Sequence, residues 1–82
     1  MIGETYAITY LDSNGDDTQR DITIENIHYV KRQAYIEAFC HLREDDREFK
    51  VNRIQGNLVN TSTGEEIDPY RLKLKHVVRR LG

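Results

Sequence analysis

The sequence predicts a mainly β fold, a small antiparallel sheet followed by a short C-terminal helix. Three observations point there. Apolar and polar residues alternate in TYAITYL, TQRDITIE and AYIEAFCHL, the period of strands with one buried face. Turn-forming clusters, DSNGDD and TSTG among them, separate those runs. After Asp68-Pro69 the spacing becomes helical, with Tyr70, Leu74, Val77, Val78 and Leu81 on one stripe.

The first strand, 5–11, carries Tyr6, Ile8 and Tyr10 on its inward face, and the second carries Ile22 and Ile24. Burial of one face selects the register between them. A two-residue Asn14-Gly15 turn would set Ile8 against Asp21. A three-residue loop, Asn14-Gly15-Asp16, sets Ile8 against Ile22 and Tyr6 against Ile24, and so is preferred. Arg20 then lies opposite Tyr10, near the end of the apolar face.

Two further strands are expected at 27–31 and 34–42, joined by a tight turn at Lys31-Arg32-Gln33. Ala34, Ile36, Ala38, Cys40 and Leu42 share the inward face of the latter, and Tyr35, Glu37, Phe39, His41 and Arg43 the other. Arg43–Asp46 turns the chain and REFKV returns it. Matching apolar partners pairs Cys40 with Phe49 and Ala38 with Val51. Arg47 then sits near Leu42 and Arg53 near Ile36, with Phe39 beside Lys50 and His41 beside Glu48 on the opposite face. A last short hairpin turns at Thr63-Gly64. A helix over 69–81 starts with Asp68 as N-cap and Pro69 in the first turn, although the alternation at 72–75 also suits a strand. Together these elements suggest one domain spanning 1–82, an SH3-like or Sm-like barrel over about 5–67 with the helix after it.

Composition narrows the function classes. With 82 residues, 38% apolar and 32% charged, the chain has the make-up of one soluble globular domain near the small end of what folds alone. Its net charge of −2 means that nucleic-acid binding would need a local basic patch. The charge is uneven: Arg20 is the only basic residue before position 27, whereas every charged residue after Pro69 is Lys or Arg. Cys40 is the only cysteine, which excludes an internal disulfide and favours a reducing compartment. No apolar run has membrane-spanning length and no signal peptide is visible, so a cytoplasmic protein without membrane contact is expected.

Catalytic and metal chemistry find little support. Cys40 and His41 are adjacent in a strand and point to opposite faces, so they cannot act as a nucleophile–base pair. DSNGDD places Asp12, Asn14 and Asp16 at calcium-loop positions, but Asp17 stands where glycine is needed and Thr23 where the closing glutamate is needed. His28, His41 and His76 lack metal-ligand spacing, and no glycine-rich phosphate loop joins a strand to a helix. No catalytic residue, metal ligand or cofactor is therefore assigned. A hard cation at Glu44–Asp46, serving a nuclease, is a minor third possibility.

What stands out is Arg20, Tyr35, Phe39, His41, Arg43, Arg47, Lys50 and Arg53 on neighbouring strands. Arginine forks bind phosphate and exposed aromatics stack on bases. The competing explanation pairs the arginines with Glu44, Asp45, Asp46 and Glu48 as the charged rim of an ordinary barrel.

The stretch AYIEAFCHLREDDREFKVNRI resembles the central motif of the WYL domain family. Tyr35 and Ile36 match its tyrosine and following aliphatic residue; Ala38, Cys40, His41, Leu42 and Arg43 fit its A-[YF]-C-H-L-R run; Arg47, Phe49, Arg53 and Ile54 fit its last element. Ile8, Tyr10 and Arg20 occupy its upstream strands, and TGEEI resembles a frequent ending, so the likeness covers about 5–67. Ala34 replaces the tryptophan, Asn52 the common aspartate, and the proline after the arginine strand is missing, which bears on the ligand more than on the fold. The resemblance implies a bacterial or phage Sm-like regulatory sensor, used in transcriptional control, DNA-damage responses or phage defence. Such domains follow a helix-turn-helix module or are joined to nucleases or helicases. By residue match it implicates Tyr35, His41, Arg43, Arg47 and Arg53, with Arg20 beside them, in binding single-stranded DNA or nucleotides. No helix-turn-helix occurs in this sequence, so it is expected to be a domain of a longer protein or a stand-alone member. Two functions compete: a non-catalytic ligand sensor using Arg20, Tyr35, Phe39, His41, Arg43, Arg47 and Arg53, or a protein-interaction or homo-oligomerisation module in which the arginines are structural.

Overall fold

The computed structural model describes residues 1–72, and residues 73–82 lie outside the described part. Six strands form one antiparallel sheet: β1 Thr5–Leu11, β2 Asp17–Val30, β3 Gln33–Cys40, β4 Asp45–Lys50, β5 Ile54–Asn60 and β6 Glu66–Ile67. Their spatial order is β4-β3-β2-β1-β5-β6, and no ladder joins β4 to β6 among the described residues. The sheet is thus open, and the closed barrel expected from the sequence is not formed by its ladders.

It is nevertheless strongly curled. Tyr10 on β1 and Phe49 on β4 are separated by two intervening strands, yet their rings meet edge to face at 5.0 Å. The Lys50 amide also donates to the Tyr10 hydroxyl at 2.9 Å. Curvature comes from irregularities in the ladders. The β2–β3 register shifts between Ile24 and Asn26, and the β1–β5 register shifts between Ala7 and Thr9, opposite the positive-φ Gly56. The bulge bends β2 without breaking it, so the two strands expected on either side of residue 26 are one.

Tyr6, Ile8, Ile22, Ile24, Ala34, Ile36, Ala38, Cys40, Phe49, Val51, Ile54 and Leu58 fill the concave side. Strand alternation assigned nearly all of these correctly, and the exceptions come from turns. The first loop has three residues and a left-handed glycine, as expected, but it is Ser13-Asn14-Gly15 and not Asn14-Gly15-Asp16. Asp12 decides this: its carboxylate accepts the Asn14 and Asp16 amides, and its own amide donates to the Asp16 carbonyl. The ladder moves by two residues, keeps every face, and pairs Tyr6 with Ile22 and Ile8 with Arg20.

The next turn is Lys31-Arg32 alone, both at positive φ, with Gln33 already in β3. The β3–β4 turn takes His41 through Glu44, so Ile36 faces Phe49, Ala38 faces Arg47 and Tyr35 faces Lys50. The register expected from apolar matching is corrected by four residues. Phe39 lies opposite Asp46 instead of Lys50, and His41 sits in the turn instead of beside Glu48. Leu42, expected inward, is 61% exposed at the tip. Arg53 belongs not to β4 but to a 3₁₀ turn, Val51–Arg53. The final hairpin expected around Thr63-Gly64 is formed, and it pairs Leu58 with Ile67.

Residues 69–72 are helical, and Asp68 caps them through its carboxylate to the Tyr70 amide at 2.9 Å. The expected apolar stripe starts differently: Tyr70 is exposed and Leu72 is buried, with the Leu72 carbonyl accepting the Tyr29 hydroxyl. The remainder of the helix expected to 81 lies outside the described residues.

Candidate functional site

Where the sheet curls over, it leaves a cleft of about 360 Å³ beside Tyr10 and Phe49. Five cationic side chains line it: Arg20 from β2, Arg43 from the β3–β4 turn, Arg47 and Lys50 from β4, and Arg53 from the 3₁₀ turn. Tyr35 and the Ser13-Asn14 turn complete the wall, and the acids are Asp12 and Glu48. Such an excess of one sign in a concave surface concentrates the field on an anion of opposite sign.

Arg20 sits deepest. The observed β1–β2 register places it opposite Ile8, further into the core than expected, and only 7% of it is exposed. Its Nε donates to Thr18 Oγ1 at 3.0 Å, Nη1 lies 3.8 Å from the Cys40 sulfur, and its carbon is 5.9 Å from the centre of the Phe49 ring. These partners are neutral. No hydrogen-bond partner meets Nη2 among the described residues and it is not sealed off, so the guanidinium of this cleft-lining residue keeps a free donor edge.

Among the described residues no Asp or Glu forms an ion pair with an arginine. The charged-rim explanation required Glu44, Asp45, Asp46 and Glu48 to accept the arginines. Glu48 is instead engaged by His28, whose ring nitrogens lie 3.0 Å from Glu37 and 3.2 Å from Glu48. Glu37 and Glu48 face each other across β3 and β4, and the His28 imidazole lies between their carboxylates. Tyr35 stacks on the same imidazole at 5.4 Å and 12°, which fixes its ring at the cleft wall. Glu25 is held above the usual carboxylate range, first by a hydrogen bond to Asp46, then by desolvation and the nearby charges of Asp46 and Glu37. These acids therefore interact mainly with one another and with His28.

Arg53 is fastened differently. Its Nε and Nη2 donate to the Leu11 and Asp12 carbonyls, both at 2.9 Å, tying the 3₁₀ turn to the end of β1. It contributes charge to the cleft and also holds it together.

Of the seven residues expected at a site, Arg20, Tyr35, Arg43, Arg47 and Arg53 line this one cleft. Phe39 and His41 do not. Phe39 pairs with Thr23 across the ladder and meets the His41 ring edge to face at 5.1 Å, while His41 Nε2 is 2.7 Å from Thr23 Oγ1. Tyr10, Ser13, Asn14 and Phe49 are cleft residues that sequence reasoning left out. The DSNGDD turn reads as an acidic hairpin tip, and only the curl brings it against β4. Among the described residues no group of His, Cys, Asp and Glu side chains is placed to hold a metal ion, and no helix is long and apolar enough to cross a membrane.

These features define a small curled-sheet domain with an open, arginine-lined cleft. The WYL domain family profile matches residues 3–57, and the chain belongs to that family. No curated protein matches it. Among solved structures it resembles the proteasome accessory factor B/C (PafBC) of Arthrobacter aurescens, at 24% identity and a TM-score of 0.66. That likeness covers 76% of this chain, which spans 10% of the larger protein.

Proposed function

We propose that this chain is a non-catalytic sensing domain whose arginine cleft binds a phosphate-bearing ligand, single-stranded nucleic acid or a nucleotide. One observation carries the reading: Arg20 is buried beside the cleft, and among the described residues no carboxylate forms an ion pair with it. Burying a charge without a counter-charge costs stability, and a bound anion would offset that cost. Arg43, Arg47 and Lys50 would add phosphate contacts from the rim, Arg53 would hold the wall, and Tyr35, fixed by His28, would offer its ring to a base. Membership of the family and the likeness to one segment of a longer protein support a regulatory domain that reports ligand binding to a neighbouring module in the cytoplasm. A helix-turn-helix, nuclease or helicase module would suit that arrangement.

The test is an NMR amide titration of the 82-residue chain with a short single-stranded DNA at low and moderate salt, beside an Arg47→Ala, Lys50→Ala variant. Both side chains are exposed, so the variant should fold; Arg53 is avoided because it clamps β1. Saturable shifts around Tyr35, Arg43 and Arg47 are expected. They should weaken with salt and lose about tenfold in affinity in the variant. No shifts at millimolar oligonucleotide would overturn the proposal and put the interaction or oligomerisation reading in its place.

A further inference from the structure

The cationic cleft has a neighbour of different chemistry. Beyond the end of β3 the first part of β2 loses its partner: β3 pairs with residues 22–30 of β2 and the His41 amide reaches Asp21, so 17–20 are paired with β1 alone. A groove of about 380 Å³ runs along that open edge, lined by Gln19, Arg20, Asp21, His41 and Leu42. Arg20 lines both grooves. Leu42 projects into solvent at 61% exposure, and the adjacent His41 ring is held by Thr23 and Phe39. His41 is anchored further by its amide, which donates to the Asp21 carbonyl at 3.0 Å.

A phosphate is poorly suited to this second groove, because the Asp21 carboxylate would repel it. A nucleobase fits its chemistry better. Leu42 and the imidazole offer apolar surface to a ring face, while the Asp21 carboxylate and the Gln19 carbonyl accept hydrogen bonds from amino groups on a base edge. Gln19 Nε2 already donates to Thr9 Oγ1 at 2.8 Å, which leaves its oxygen as the available end. We infer that the groove of Gln19, Asp21, His41 and Leu42 is a base subsite for the nucleotide whose phosphate lies against Arg20. The ligand class would then be a nucleic-acid strand or nucleotide read through phosphate and base together, preferring bases with an exocyclic amino group.

The inference rests on the phosphate-binding reading of the cleft, and the experiment separates the two. Titration calorimetry would compare a 5′-phosphorylated deoxycytidine tetranucleotide with the same backbone made abasic, on the wild-type chain and on Leu42→Ser, Asp21→Asn and Arg47→Ala variants. All three positions are exposed, so the variants should fold. The cytidine strand is expected to bind about tenfold tighter than the abasic one. Leu42→Ser should shrink that difference without changing the abasic affinity. Asp21→Asn should shrink it while the abasic strand binds as tightly or more tightly, because a repelling carboxylate is removed, and Arg47→Ala should weaken both ligands. Equal binding of the two strands with sensitivity only to Arg47→Ala would overturn the base subsite and leave the phosphate cleft standing. Binding of neither strand would overturn both.

Discussion

The cationic cleft and the acidic group around His28, neighbours on β3 and β4, handle charge in opposite ways. Beside the cleft, Glu25, Glu37, Asp46 and Glu48 gather around His28, which meets Glu37 and Glu48, while Glu25 and Asp46 bond to each other; Arg47 and Glu48 lie on the border between this group and the cleft. In the cleft, Arg20, Arg43, Arg47 and Lys50 have no acidic partner among the described residues. Both draw on the same few strands and a chain of net charge −2. The difference therefore comes from what meets each side chain, since Lys50 and Glu48 share one face of β4 and only Glu48 is taken by His28. It teaches that uncompensated charge, more than charge itself, marks the site: an exposed matched pair contributes little, while a buried unmatched cation must be offset by something.

The largest expected effect tests the packing beside the cleft. Phe49 is buried and holds Tyr10 and Arg20, so Phe49→Ala should cost about 3–5 kcal/mol in urea unfolding. Phe39 on the outer face meets His41 and stays half-buried, so Phe39→Ala should cost less than about 1.5 kcal/mol. Comparable losses would show that the outer face is as much a core as the inner one.

Next comes the unmatched charge itself. Arg20→Met keeps an unbranched apolar stem out to about the Nε position while removing the guanidinium. It should leave the melting temperature unchanged or higher, since no ion pair is lost and a buried charge is relieved. Oligonucleotide affinity should fall at least about tenfold in the same variant. A sharp drop in melting temperature would make Arg20 a structural residue and weaken the contrast between the cleft and the acidic group.

The smallest effect probes the acidic group. Glu25 has its folded-state pKa raised through Asp46, so it binds protons more tightly in the folded protein than in the unfolded one. Its stabilising share is complete below the ordinary glutamate range and is lost as pH rises through the raised value. Glu25→Gln should therefore slightly raise the melting temperature at pH 7 and lose that advantage in acid. An unchanged difference across pH 3–7 would break the assignment.

How much of this was legible follows from which interactions are local. Alternation identified Tyr6, Ile8, Ile22, Ile24, Ala34, Ile36, Ala38, Cys40 and Phe49 as one face, because side-chain direction in a strand depends only on counting by two. The errors in register were of two and four residues, even numbers that left the faces intact. They arose because turn length is chosen by hydrogen bonds such as those of Asp12, and by tertiary contacts such as Phe49 against Tyr10, more than by the best match of apolar partners. The arginines and Tyr35 stood out by residue type and by family resemblance. Phe39 joined the group as an aromatic on the same strand and His41 by its match to the family motif, and the β3–β4 turn and the Thr23 contact place both outside the cleft.

Residue order alone determined the strands, the inward face, the capped start of the terminal helix and the supply of cations near Tyr35, since each depends on periodicity or on neighbours a few positions apart. Only the tertiary structure decided that Arg20 would be buried, that Glu48 would turn to His28 and leave the arginines open, and that DSNGDD would wall the cleft. Those outcomes depend on the sheet curling until β1 meets β4, and that curl is the sum of bulges, turns and ring contacts between residues some forty positions apart.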